Sequence, residues 1–93
     1  MDVKEVTKTA REYVAEIFAD EQITNLGLEE VVYDVESERW RITFGFARPW
    51  DRQGDMGVRM GLKAPRAYKV VHVDDSDGNV VALTDRILPD VKA

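Results

Sequence analysis

The residue types that most often carry catalysis or metal binding are sparse in this sequence. His72 is its only histidine and cysteine is absent, which excludes thiol catalysis, disulfides and thiolate metal sites. Nucleophilic or metal chemistry at His72 would need a second histidine or an activated serine, and the sequence shows neither pattern. The adjacent Glu29 and Glu30 would point to opposite faces of a strand, which prevents shared acid–base work. We therefore predict no catalytic residue and no enzyme.

Two segments contain parts of ligand-binding motifs. Residues 74–79, "DDSDGN", have the aspartates and the glycine of a calcium loop. However, Val73 takes the first ligand position and Thr84 takes that of the bidentate glutamate, so the oxygen cage is incomplete. The glycines of residues 54–61 lack the order of a phosphate-binding loop. The sequence therefore predicts neither a metal nor a cofactor.

The segment 48–66, "RPWDRQGDMGVRMGLKAPR", has the pattern of neither a helix nor a strand. It carries five basic and two acidic residues, whereas the whole chain has a net charge of -5. Tryptophan and arginine are enriched at binding hot spots, methionine is enriched at interfaces, and long connections are often functional. We predict a protein-contact surface formed by Arg48, Trp50, Arg52, Met56 and Arg59.

Two other interpretations of this segment stay open. Trp50 can instead fold back over the outer face of the sheet, with Met60 and Leu62 beside it, as a purely structural cover. Alternatively, its basic residues can bind an anionic ligand or a nucleic acid. The negative net charge of the chain makes nucleic acid an unlikely partner.

Length and composition indicate one domain spanning residues 1–93. With 93 residues, 44% of them hydrophobic and 33% charged, the chain can build one modest core. No run approaches the roughly 20 apolar residues that span a bilayer, and the first residues lack the apolar stretch of a secretory signal. We expect a cytoplasmic protein with no membrane partner.

A helix is predicted at about residues 3–19. Asp2 and Glu5 have the spacing of a capping box. Apolar residues recur at intervals of three and four, which places them on one face of the helix: Val6, Ala10, Tyr13, Val14, Ile17 and Phe18. The following turn signals, Asn25 and Gly27, are expected to break the pattern, with Ile23 and Leu26 folding back onto the core.

Two β-hairpins are predicted, at about 29–47 and about 67–88. In the first, a two-residue turn at Ser37 and Glu38 gives the register Val35–Trp40, Tyr33–Ile42 and Val31–Phe44. In the second, Gly78 supplies the positive φ of the turn. Its expected core pairs are Val73–Val81 and Val71–Leu83.

The order of elements predicts an α+β fold, an N-terminal helix packed on a four-stranded antiparallel sheet. The two hairpins are then joined by the long loop 48–66. On the sheet's outer face we expect an alternative interface, which would pair two copies in a homodimer. It consists of Val32, Tyr68, Val70 and His72.

The helix followed by a meander that ends in "YKVVHVDDSDGNVVAL" resembles the PepSY-type domains of bacteria and, more broadly, cystatin-like folds. PepSY-type domains are associated with peptidase propeptides and cell-envelope proteins. The resemblance implies a small bacterial domain with a restraining or binding role. Together with the residues above, it leads us to expect a non-catalytic protein-binding or regulatory module.

Overall fold

One helix and four strands form the described part of the chain, residues 1–49 and 67–86 of a computed structural model. The helix packs on one face of the sheet, which confirms the predicted α+β arrangement. A short 3-10 turn, Ala19–Glu21, follows the helix. The other elements are α1 (Val3–Ile17), β1 (Thr24–Asp34), β2 (Arg39–Ala47), β3 (Ala67–Asp74) and β4 (Val80–Asp85).

The helix α1 begins at the predicted capping box. Asp2 Oδ1 accepts a hydrogen bond from the Glu5 backbone N–H at 2.8 Å, and Glu5 Oε1 accepts one from the Asp2 N–H at 3.3 Å. The helix ends at Ile17, two residues earlier than predicted. Because the non-helical backbone at Phe18 turns its ring onto Phe46, with centroids 5.0 Å apart, Phe18 occupies this end of the core. Ile17, predicted to face the core, is 50% exposed.

The strand β1 begins at Thr24, five residues before the predicted start of the first hairpin. Asn25 adopts a left-handed conformation with φ 57°. Register shifts at Thr24/Gly27 and at Leu28/Glu30 let the strand continue through this turn-like sequence. Its early residues pack inward as predicted, since Ile23 and Leu26 both contact the core.

The predicted register of the first hairpin is wrong by two residues. The observed pairs are Asp34–Arg39, Tyr33–Trp40 and Val31–Ile42. Residues 35–38 form a turn in which Asp34 Oδ1 accepts from the Glu36 N–H at 3.1 Å and Glu38 has φ 56°. A shift of two residues preserves the alternation of faces, so Val31, Ile42 and Phe44 face the core as expected. Val35, predicted to face the core, lies in the turn and is exposed.

The second hairpin has the predicted positive φ at Gly78, but its register near the turn differs from the prediction by one residue. Gly78 has φ 73°, and Val71 lies opposite Leu83. A bulge in β4, between the pairs His72–Ala82 and Val73–Val80, places Val80 instead of Val81 opposite Val73. Val81 is 44% exposed. The described part of β4 ends at Asp85, and the remainder of the predicted 67–88 hairpin lies outside the described residues.

The core lies between α1 and the inner face of the sheet. The four strands follow one another in the order β1-β2-β3-β4, all antiparallel. Side chains from α1 and from the central strands β2 and β3 fill the space. Those fully shielded from solvent are Val6, Ala10, Val14, Ile42, Phe44, Phe46, Val71 and Val73.

The corrected register predicts unequal costs for two alanine substitutions. Val35→Ala should change the free energy of unfolding by less than about 0.5 kcal/mol, because Val35 is 75% exposed in the turn. Val71→Ala should cost about 2 kcal/mol, since it removes two buried methyl groups. Urea titration of both variants measures these differences. Equal costs would contradict the observed register.

Candidate protein-contact surfaces

Most of the predicted loop surface cannot be placed. Trp50, Arg52, Met56 and Arg59 lie outside the described residues. Arg48, which follows β2, is half-buried, and its guanidinium carbon lies 6.0 Å from the centre of the Phe46 ring. This distance is within the range of a cation–π contact.

The outer face of the sheet collects the residues of the alternative interface. Arg41 lies opposite both Val32 and His72, and Thr43 lies opposite Val70 in the neighbouring row. The helix α1 packs against the inner face of the sheet and therefore does not cover this outer face. Val32, Tyr68, Val70 and His72 are each half-buried among their neighbours. The structure therefore brings these four residues onto one surface.

The described part of the outer face carries charges of both signs. Arg41 Nη1 lies 3.2 Å from Asp34 Oδ2, and Arg86 Nη1 lies 3.7 Å from Glu30 Oε1 across the sheet. Arg39 and Asp74 add one charge of each sign at the end of the sheet. Acidic and basic residues of the described part thus share a face of a chain whose net charge is -5.

His72 is a neutral part of this face near pH 7. Its Nε2 lies 3.0 Å from Thr84 Oγ1 on the adjacent strand. Burial lowers the pKa of His72 below its ordinary value, and the positive charges of Arg41 and Arg39 lower it further. Neutral imidazole can both donate and accept a hydrogen bond, so His72 contributes polarity to the face without adding charge.

A polar junction links both hairpin turns to the start of the chain. Trp40 Nε1 donates to Asp75 Oδ1 at 2.9 Å, and the Asp75 N–H donates to the Glu38 carbonyl at 3.1 Å. The Met1 amino group lies 3.5 Å from the same carboxylate oxygen. The Trp40 hydrogen bond, followed by this amino group, lowers the pKa of Asp75.

The aspartates of residues 74–79 serve the turn itself. Asp74 Oδ1 accepts from the Ser76 N–H at 2.8 Å and from its Oγ at 2.7 Å. Asp77 Oδ1 accepts from the Asn79 N–H at 2.9 Å. Asp75 and Asp77 border an open acidic cavity of about 530 Å³ that Glu5 and Glu12 also line. Within residues 1–49 and 67–86, no group of three or more potential ligands is arranged to hold a metal ion.

A groove between α1 and β1 is a surface that the sequence reasoning missed. It has a volume of about 470 Å³, and Val3, Thr7, Leu28 and Val31 form most of its lining. Three cationic side chains line the rest: Lys4, Lys8 and Arg11. Their spacing along the helix was a sequence signal for this site, because residues separated by three or four positions share a helix face.

We compared the chain with protein-family models, curated proteins and solved structures, and none of these comparisons found a match. The resemblance to PepSY-type and cystatin-like domains therefore stays a prediction from the sequence pattern. Among the residues described, no helix has the length and apolar character needed to cross a membrane.

The junction predicts a pH-dependent stability. Because folding lowers the pKa of Asp75, its ionised form stabilises the fold above the ordinary aspartate pKa of about 3.9. This contribution is lost as the pH falls through the lowered pKa of the folded state. Asp75→Asn, which keeps the acceptor for Trp40, should lower the melting temperature at neutral pH. The difference from wild type should shrink between about pH 5 and pH 2.

Circular dichroism melts across this pH range measure the effect. Asp20→Asn, at an exposed position in the 3-10 turn, is the matched control and should track wild type throughout. A difference between Asp75→Asn and wild type that stays constant down to pH 2 would contradict the assignment.

Proposed function

We propose that this chain is a small non-catalytic protein-binding module whose outer sheet face pairs with a second copy of the chain. The observation that carries the proposal is the two-layer architecture, in which α1 packs on one face of the sheet and leaves the other uncovered by the helix. The face opposite the helix combines half-buried apolar side chains, Val32 and Val70, with Tyr68 and His72. Burying such a face against a partner is the usual way to shield it from water.

The charge pattern favours a second copy as the occupant. Two chains of net charge -5 repel each other at long range. Among the described residues, the outer face carries both signs, since Glu30, Asp34 and Asp74 lie near Arg39, Arg41 and Arg86. In a two-fold interface each patch meets an identical patch, so a face that carries both signs can pair acidic residues of one copy with basic residues of the other.

The functions expected for the basic segment 48–66 stay predictions. A regulatory role for the basic segment 48–66 and its binding to an anionic ligand both depend on residues that, apart from Pro49 and Arg48, lie outside the described part. A bacterial cytoplasmic setting also stays a prediction.

Self-association should depend on the centre of the outer face. Val70→Glu places a carboxylate there and should keep the protein monomeric at concentrations where wild type reaches twice the mass of one chain. Val35→Glu makes the same substitution at an exposed position in the first hairpin turn and should behave as wild type. Sedimentation equilibrium from about 10 μM to about 1 mM covers the range of a weak homodimer.

Thermal melts establish that both variants are folded before their masses are compared. Wild type that keeps the mass of a single chain at the highest concentration would overturn self-association. Equal dimerisation of wild type and Val70→Glu would show that another surface is responsible.

A further inference from the structure

Both α1 and β1 contribute apolar side chains to the α1–β1 groove, and its cationic side chains all come from α1. Val3 and Thr7 lie one helical turn apart and form its helix side, while Leu28 and Val31 come from β1. Val3 is 48% exposed and Leu28 is 43% exposed, so large apolar side chains line the groove and remain open to solvent. Exposed apolar side chains that share one groove indicate a contact site more strongly than the same residues scattered singly.

The cations of the groove are not engaged in ion pairs with the described residues. Lys4 and Lys8 are exposed, and none of the salt bridges within residues 1–49 and 67–86 includes them. The Arg11 guanidinium carbon lies 5.5 Å from the centre of the buried Phe44 ring. This contact is made by the charged group of Arg11 itself, which thus lies where the groove meets the core.

The charges of α1 are divided unevenly between its two sides. Lys4, Lys8 and Arg11 are three of the five basic residues in positions 1–46, which also contain 11 acidic residues. Glu5 and Glu12 line the acidic cavity next to the second hairpin turn, and Lys8 lines both that cavity and the groove. The cationic groove is therefore a local exception on an acidic half of the chain, and its charge selects for a negatively charged occupant.

We propose that the α1–β1 groove binds a short acidic segment of a partner protein, whose apolar side chains enter the space between Val3, Leu28 and Val31. From Lys4 to Arg11 the helix rises about 10 Å, a length that three extended residues span. Alternate side chains of an extended segment are about 6.6 Å apart, close to the 5.4 Å of one helical turn. Carboxylates at every second position can thus meet successive cations.

This site goes beyond the self-association proposed above and is independent of it, because the groove lies beside α1 and the self-association surface is the opposite face of the sheet. The apolar lining also distinguishes its occupant from a simple polyanion. A nucleic acid would engage the three cations through phosphates and gain little from Leu28. A peptide with apolar anchors uses both parts of the groove.

The test uses fluorescence anisotropy with a labelled peptide of about eight residues, in which leucines alternate with glutamates between terminal glycines. A second peptide has lysine at each glutamate position. The acidic peptide should bind the full chain, and binding should weaken as the salt concentration rises. The lysine peptide should not bind.

Two groove variants have matched controls on the same molecule. Lys4→Gln/Lys8→Gln should weaken binding about five- to tenfold, whereas Lys69→Gln/Lys92→Gln, with the same change in net charge, should leave it unchanged. Leu28→Ser should weaken binding about tenfold, whereas Val81→Ser should not. Leu28 and Val81 are 43% and 44% exposed, so the variants Leu28→Ser and Val81→Ser change side chains of similar burial.

Repeating the titration with Val70→Glu separates this proposal from self-association. Peptide binding retained by a monomeric Val70→Glu supports the groove even if the outer face proves not to pair.

Three outcomes overturn the groove proposal: no binding of the acidic peptide, equal binding of the lysine peptide, or full binding by both groove variants. A short oligothymidylate that binds in place of the peptide, with no loss in Leu28→Ser, would identify a general anion surface. Loss of self-association in the groove variants would identify a second copy of the chain as the occupant. The oligothymidylate result and this loss of self-association would each overturn the proposal.

Discussion

The shape of the surface depends on a difference in width, because the single helix is narrower than the four-stranded sheet on which it packs. An α-helix with its side chains is about 10–12 Å across, whereas the outer strands of a four-stranded sheet lie about 14 Å apart before their own side chains are added. Packed chiefly against β2 and β3, α1 buries the apolar side chains of the two central strands and leaves the flanks less covered. The groove over β1 and the acidic cavity near the second hairpin turn are the two spaces that result.

Polar contacts surround the N-terminal end of α1. The capping box of Asp2 and Glu5 starts the helix, and Asp75 links Trp40 to the residue just before that box. Asp75 also bonds through its backbone to Glu38, so the two hairpin turns and the helix start meet at one place. Because these groups hold the first turn of α1, they also fix Val3 and Lys4 beside β1.

Periodic patterns in the sequence were enough to predict the α+β arrangement and the faces of its elements. The period of two in the strands survives a shift of two residues, so Val31, Ile42 and Phe44 were correctly predicted to face the core although the hairpin register was wrong. Ile17, Val35 and Val81, also predicted to face the core, are exposed because each lies where an element ends or bulges. The register itself depends on Asp34 and Glu38, whose turn geometry is local and is invisible to a hydrophobic pattern. The outer face was predictable for the same reason as the core, since its residues occupy the alternate positions of the same strands.

The groove could not be predicted because it depends on where β1 begins. Asn25 and Gly27 are strong turn signals, and the structure accommodates them as irregularities within a strand. That extension places Leu28 beside α1, where the pattern had suggested a connection. The cationic spacing on α1 was visible in the sequence, but without Leu28 it described only a solvated helix face.

The irregular edges of the sheet have a consequence for how copies of the chain meet. The β1 edge is interrupted by two register shifts and the short β4 edge by one. A strand from another molecule needs an even row of backbone groups to add to a sheet, and bulges remove that evenness. Edge-to-edge growth into fibrils is thereby disfavoured, so a long outer strand can be kept at the surface without making the protein prone to polymerise.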